Sequence, residues 1–134
     1  MSPSDALFEI GLTYKAAKIC LADPHILLSQ LSTEHCQYMA GHHQLGHQNF
    51  NERYKICREK LGLNCAEIAA MSWRSDYVEN PQDEFLLSVA RQMWDSWRQS
   101  REHWNIATEE WKFVGGDMIQ AKDGTWYASI LSGK

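Results

Sequence analysis

The hydrophobic periodicity of this chain switches between helical and strand-like spacing in an order that strongly constrains its fold. Helical spacing extends to about residue 61, a short apolar run follows at 65–71, a second helical stretch comes next, and strand-like segments close the chain. A wound parallel fold would alternate helices and strands regularly, whereas segregated elements are typical of helices packed on an antiparallel sheet. The sequence therefore predicts an α+β fold.

Four segments are predicted to be helical. A serine cap before a proline begins the first segment, and Asp23-Pro24 interrupts it because proline removes an amide donor and restricts its predecessor. Glycines end the second and third segments, and Asn80-Pro81 begins the fourth. The predicted helices cover residues 3–21, 25–40, 50–61 and 80–104.

The remaining apolar runs are short enough to be strands. Asp123-Gly124 predicts a two-residue hairpin turn near the end of the chain. Residues 41–47 combine two glycines with three histidines and are predicted to form a loop. With 134 residues, the chain is expected to form a single domain, 1–134. The predicted strands cover residues 65–71, 111–114, 118–122 and 125–131.

Composition excludes several classes of partner. The net charge is −4 and the basic residues are scattered, so nucleic-acid binding is not expected. No apolar stretch is long enough for a membrane span. The first residues do not resemble a signal peptide, which is compatible with a cytosolic product or with a mature or trimmed form of an exported one.

The four cysteines, which match neither a zinc ribbon nor a CxxC motif, are predicted to be free and buried. They are Cys20, Cys36, Cys57 and Cys65.

Three groups of residues could carry chemistry. Histidine is a common metal ligand, but His42 and His43 of the loop are most simply interpreted as solvated residues, while His47 remains open. Glu67 is a single charge in an apolar strand, where it either lines a cavity or accepts buried hydrogen bonds. Ser100 and His103 share a helix face, on which the serine hydroxyl could instead bond its own backbone.

Several motifs, taken in order, resemble the CAP superfamily of cysteine-rich secretory proteins, antigen 5 and pathogenesis-related group-one proteins. The resemblance is greatest for its short, bacterial-type, SCP-like members and covers about residues 28–131. It departs from the family where Ser100 replaces a second cavity glutamate and where the first helix lacks Asn-x-x-Arg. The motifs are Tyr38-Met39-Ala40, Leu45-Gly46-His47, Arg53, Ala66-Glu67-Ile68, Trp97-x-x-Ser100-x-x-His103, Val114-Gly115-Gly116 and Trp126-Tyr127.

The resemblance implies an α-β-α sandwich with a central antiparallel sheet and one cleft lined by His47, Glu67, Ser100 and His103. It identifies His47 and His103 as the family's paired cavity histidines and Glu67 as its first cavity glutamate. Two imidazoles and a carboxylate suit zinc or another divalent metal. The resemblance also implies an extracellular or surface location.

Three functions remain open from the sequence. The preferred one is a non-enzymatic CAP-type module that binds a divalent metal and, near it, a protein or a small apolar ligand. The second is a metal-assisted hydrolase in which Glu67 acts as base beside His47 and His103. The third is a structural component of a virion or surface assembly, suggested by six tryptophans in a short chain, although these could equally fill the core.

Overall fold

The computed structural model describes residues 1–73 and 76–134 as five α-helices, one 3-10 helix and four strands. The sheet order is β1-β3-β4-β2. Strand β4 pairs antiparallel with both β2 and β3, and the two-residue β1 pairs parallel with β3 at the edge. The helices are α1 Pro3–Gly11, the 3-10 helix Lys18–Leu21, α2 Ile26–His42, α3 Phe50–Leu61, α4 Asp83–Gln99 and α5 Arg101–Ala107. The strands are β1 Asp23–Pro24, β2 Cys65–Met71, β3 Phe113–Gln120 and β4 Trp126–Gly133.

Helices cover both faces of this sheet. In β3, a side chain at Gly115 would run into the backbone of α2, while one at the next residue, Gly116, would meet Phe8 of α1. Successive strand residues point to opposite faces, so α2 and α1 lie on opposite sides. Helix α4 packs on α1, and α3 contacts β2 on the α2 side. The predicted α+β sandwich is confirmed, with a parallel edge strand added to the antiparallel sheet.

The core consists of three clusters, one on the first face of the sheet and two on the opposite face. The largest lies between the sheet and α1 and α4, and it contains the fully buried Trp94 and Trp97 together with Trp126. Two smaller clusters lie under α2 and α3. These three tryptophans therefore fill the core, whereas Trp73 is 80% exposed.

The predicted helix over 50–61 and strand over 65–71 have the bounds observed for α3 and β2. Gly62 ends α3 with φ 66°, a left-handed conformation that glycine adopts without a Cβ penalty. Helix α2 begins with His25 as its cap but continues through Gly41 to His42, so the loop starts later than predicted.

The predicted first helix over 3–21 was wrong. Helix α1 ends at Gly11, and turns lead into the 3-10 helix. Cys20 returns to Gly11, where an added Cβ would overlap the Cys20 sulfur and the Trp94 ring. A continuous helix would separate these two residues by about 13 Å along its axis. Tertiary packing against Trp94 therefore overrides the helical pattern.

The predicted single helix over 80–104 was also wrong. It consists of two helices joined at Ser100, whose backbone is extended with φ −105° and ψ 117°. The first of these helices, α4, begins at Asp83 and not at residue 80 as predicted. At the break, the Ser100 hydroxyl lies 2.8 Å from Nδ1 of His103 and does not cap α5.

The bounds predicted for the closing strands were wrong, because the segments predicted at 111–114 and 118–122 belong to one strand and the last strand covers 126–133. Residues 113–120 form one strand that includes Gly115 and Gly116, and its pairing with β4 continues through both glycines. Because these glycines have no side chain, the helices on the two faces approach the sheet closely at this point. The final turn contains three residues, 122–124, with Gly124 at φ 94°. This geometry is a type I turn followed by a glycine bulge rather than the predicted two-residue turn.

All four cysteines are free, as predicted, and Cys36, Cys57 and Cys65 are buried, while Cys20 is partly exposed. Within the described residues, no helix is both long and apolar enough to cross a membrane.

Candidate functional site

Glu67 is a buried carboxylate in the middle of β2. Its side chain is only 1% exposed, and it points to the sheet face that α2 and α3 cover. A buried charge is costly unless it is paired and hydrogen-bonded. The neighbours of Glu67 therefore determine what it can do.

Arg53 of α3 supplies most of the compensation. Its Nε donates to Oε2 of Glu67 at 2.7 Å and its Nη2 donates to Oε1 at 2.7 Å. Its Nη1 donates to the carbonyl oxygen of Gln48, also at 2.7 Å. This forked, charge-assisted arrangement uses the planar geometry of the guanidinium and joins α3 to the sheet.

His47 is the second donor to this carboxylate. Its Nδ1 lies 2.9 Å from Oε1 of Glu67, while 47% of its side chain is exposed. An ionised carboxylate only accepts, so Nδ1 carries the hydrogen, and in the neutral imidazole Nε2 keeps its lone pair. Glu67 therefore orients His47 with one nitrogen available for a ligand.

The surroundings of Glu67 keep it ionised. Burial alone raises the pKa of its carboxyl, but hydrogen bonds from His47 and Arg53, with the charge of Arg53, outweigh burial and lower the pKa below its usual value. A carboxylate with both oxygens occupied and a lowered pKa is a poor general base. This favours the buried-acceptor interpretation of Glu67 over the cavity-wall interpretation.

His35 of α2 is the third side chain close to the Glu67 carboxylate, after Arg53 and His47. Its Nε2 donates to the carbonyl oxygen of Gly46 at 2.8 Å and lies 3.5 Å from Oε1 of Glu67. Its Nδ1 is buried without a hydrogen-bond partner among the described residues. Burial lowers the pKa of His35, against the opposing effects of Glu67 and the Gly46 carbonyl, so the neutral imidazole is favoured.

His103 lies in α5, which contacts β2, and is partly buried. Its Nδ1 is held at 2.8 Å by the Ser100 hydroxyl. Burial lowers the pKa of His103, and the nearby charge of His47 lowers it further. The structure shows a hydrogen bond between His47 and Glu67, whereas His103 makes its hydrogen bond to Ser100.

The predicted metal ligands His47, Glu67 and His103 do not form a three-ligand set. Among residues 1–73 and 76–134, no group of three or more His, Cys, Asp or Glu side chains is arranged to hold a metal ion. The physical reason is that Arg53 and His47 already occupy the oxygens of Glu67. A metal ion here would therefore have to be held by imidazoles, with Glu67 orienting His47 by its hydrogen bond.

The other loop histidines stay at the surface. His42 is the last residue of α2; it stacks on Tyr38 and its Nδ1 lies 2.8 Å from the Tyr38 carbonyl oxygen. His43 lies 3.6 Å from Asp123. Both are exposed, in agreement with the interpretation of these two as solvated residues.

Sequence reasoning missed the roles of His35 and Arg53. His35 is not among the candidate residues identified from the sequence, and Arg53 appears there only as a position in the resemblance. A signal was present, because a lone acid in an apolar strand requires a cation, and Arg53 lies three residues after Phe50 and four before Cys57, on the apolar stripe of α3. A pocket of about 190 Å³ between α2 and α3 is lined by both residues.

The chain matches no protein-family model and no curated protein sequence. It is similar in structure to an outer surface protein from Borrelia burgdorferi, with a TM-score of 0.65. The match covers 92% of this chain and 89% of that protein at 16% sequence identity. At this identity the likeness shows a shared α+β fold.

Proposed function

We propose that this chain is a non-enzymatic binding module of the CAP type, in which His47 and His103 hold a divalent metal ion that takes part in recognising a ligand or partner. The observation that carries the proposal is the hydrogen bond from Nδ1 of His47 to Glu67, which leaves Nε2 as the free nitrogen of a side chain that is 47% exposed. A carboxylate behind a metal-binding imidazole is the usual way of orienting such a ligand and raising its basicity.

The state of Glu67 favours binding over hydrolysis. The metal-assisted hydrolase requires Glu67 to take a proton from water, and Arg53 holds both of its oxygens in a buried ion pair. When bound, zinc would polarise a ligand oxygen or nitrogen at a position left open by the two histidines. Glu67 would hold His47 in place throughout and would not exchange protons.

The proposed location is a cell surface. The protein of similar fold is named as an outer surface protein, and this name supports the same location for the present chain. A surface module with a metal-dependent patch would recognise a partner protein or a small apolar ligand outside the cell.

The experiment is zinc titration followed by thermal melting at about pH 7.5. A ligand that binds only the folded state stabilises it by about 2.7 kcal/mol at 100 times its Kd. We expect zinc to raise the Tm of the wild type, and we expect this shift to be lost in His47→Ala and in His103→Ala. The shift should also shrink at about pH 5.5, because a protonated imidazole cannot bind metal.

The matched control is His42→Ala, which removes an exposed histidine close in sequence but bonded to Tyr38 instead of Glu67. This variant should keep the zinc response. A wild-type melt that zinc does not change, or an equal response in His47→Ala and the wild type, would contradict the proposal while leaving the fold untouched.

A further inference from the structure

The fold brings two of the four cysteines into one apolar cluster. Cys57 in α3 and Cys65 in β2 are neighbours there, because the backbone amide of Leu63, two residues before Cys65, donates to the carbonyl oxygen of Cys57 at 3.2 Å. Both belong to the apolar cluster under α2 and α3, with relative exposures of 0% and 8%. Both are free thiols in this structure.

This pair lies beside the buried ion pair. Cys57 follows Arg53 by four residues on α3, so both side chains lie on the same helix face. Cys65 precedes Glu67 by two residues on β2, so both point to the same side of the sheet. The Arg53–Glu67 ion pair and the Cys57–Cys65 pair therefore lie next to each other between α3 and β2.

The other two cysteines are placed elsewhere. Cys36 belongs to a separate cluster, where its thiol donates to the carbonyl oxygen of Asp117 at 3.3 Å. Cys20 packs beside Gly11 and Trp94 on the opposite face of the sheet. The fold therefore favours one of the six possible pairs among the four cysteines.

We propose that Cys57 and Cys65 form an intramolecular disulfide when the chain folds under oxidising conditions, and that this bond fastens α3 to β2 beside Arg53 and Glu67. The proposal does not depend on the metal-binding function. It assigns a covalent modification to two residues that otherwise only fill the core.

The reaction is an exchange with a low-molecular-weight disulfide such as oxidised glutathione. Cys57 releases a proton, and its thiolate attacks one glutathione sulfur; the glutathione thiolate that leaves takes up a proton. Cys65 then releases a proton, and its thiolate attacks the Cys57 sulfur, expelling the second glutathione thiolate, which is protonated in turn. Two protein thiols are oxidised to one disulfide, and one glutathione disulfide is reduced to two thiols.

Cys57 and Cys65 can exchange these two roles, because both thiols are accessible to glutathione while the chain is unfolded. Both thiols are inaccessible after folding, so the exchange belongs to the folding reaction.

The test is refolding of the full chain from urea in a glutathione redox buffer, followed by alkylation of free thiols and mass spectrometry. We expect the loss of the mass of two hydrogen atoms, one linked peptide pair containing Cys57 and Cys65, and two alkylated thiols at Cys20 and Cys36. The oxidised protein should melt about 5 °C or more above the reduced one, because the cross-link restricts the unfolded chain.

Two variants sharpen this comparison. Cys20→Ala/Cys36→Ala keeps only the proposed pair and should still form the intramolecular disulfide. Cys57→Ala should keep three free thiols in a folded monomer. Four free thiols after refolding of the wild type, a linked peptide from any other pair, a link between chains, or a disulfide that lowers the Tm would each overturn the proposal.

Discussion

The guanidinium of Arg53 binds both carboxylate oxygens of Glu67 at 2.7 Å, across the interface between α3 and β2. The Glu67 side chain is 1% exposed and that of Arg53 is 8% exposed. Desolvation of two charges offsets much of their attraction, so such a pair contributes less net stability than its geometry suggests. Removing one partner is costly nevertheless, because the other charge remains buried.

This relationship predicts a non-additive mutant cycle. Arg53→Met and Glu67→Leu should each destabilise the protein by about 3–5 kcal/mol, since each leaves one buried charge without its partner. The double variant Arg53→Met/Glu67→Leu should be more stable than either single variant. Urea denaturation monitored by tryptophan fluorescence measures all four proteins, and additive losses would show that the ion pair is not a coupled unit.

The second prediction concerns pH and His35, whose imidazole faces Glu67, Arg53 and His47. Its pKa is lowered in the folded protein from an unfolded value of about 6.5. Below that value the unfolded chain binds a proton that the folded protein does not, so stability falls as the pH drops from about 6.5 towards the folded pKa.

We expect the wild type to lose up to about 1 kcal/mol more stability than His35→Gln between about pH 7 and pH 5.5. Glutamine keeps a donor for the Gly46 carbonyl oxygen but does not titrate. His42→Gln, at an exposed position, should behave like the wild type. An identical pH dependence for His35→Gln and the wild type would contradict the assignment of a neutral, buried His35.

The third prediction compares two glycines. Gly115→Ala should destabilise the protein by about 3 kcal/mol or more, because its Cβ would overlap the backbone of Leu28 and Ser29 in α2. Gly41→Ala in α2 meets no atom within 4 Å and should stabilise the helix by about 0.5–1 kcal/mol. Thermal melting of both variants checks the packing of α2 on β3; equal effects would show that this close approach is incorrect.

The fourth prediction concerns catalysis. We expect no turnover of peptide, ester or glycan substrates above background, with or without a divalent metal, because the lowered pKa of Glu67 makes it a weak base. The comparison uses the wild type, Glu67→Gln and His103→Ala on a broad substrate panel. A metal-dependent rate present in the wild type and lost in both variants would establish the hydrolase instead.

The resemblance predicted that His47, Glu67 and His103 line one cleft, but it did not predict the buried ion pair of Glu67. Its role depends on Arg53, which is 14 residues away in sequence, and on the hydrogen bond that His35 makes to Gly46. Periodicity places Arg53 on the core-facing stripe of α3, but the pairing of Arg53 with Glu67 and of His35 with Gly46 depends on how α2 and α3 pack against the sheet. The CAP resemblance and the metal site stay predictions.

Local signals in the sequence determined the α+β class, the bounds of α3 and β2, and the stop at Gly62, because a turn, a cap or a period depends on residues a few positions apart. Tertiary structure alone decided the early end of α1, the break at Ser100 and the parallel pairing of β1 with β3. In each case contacts distant in sequence outweighed local propensity, as when Cys20 returned to Gly11 beside Trp94.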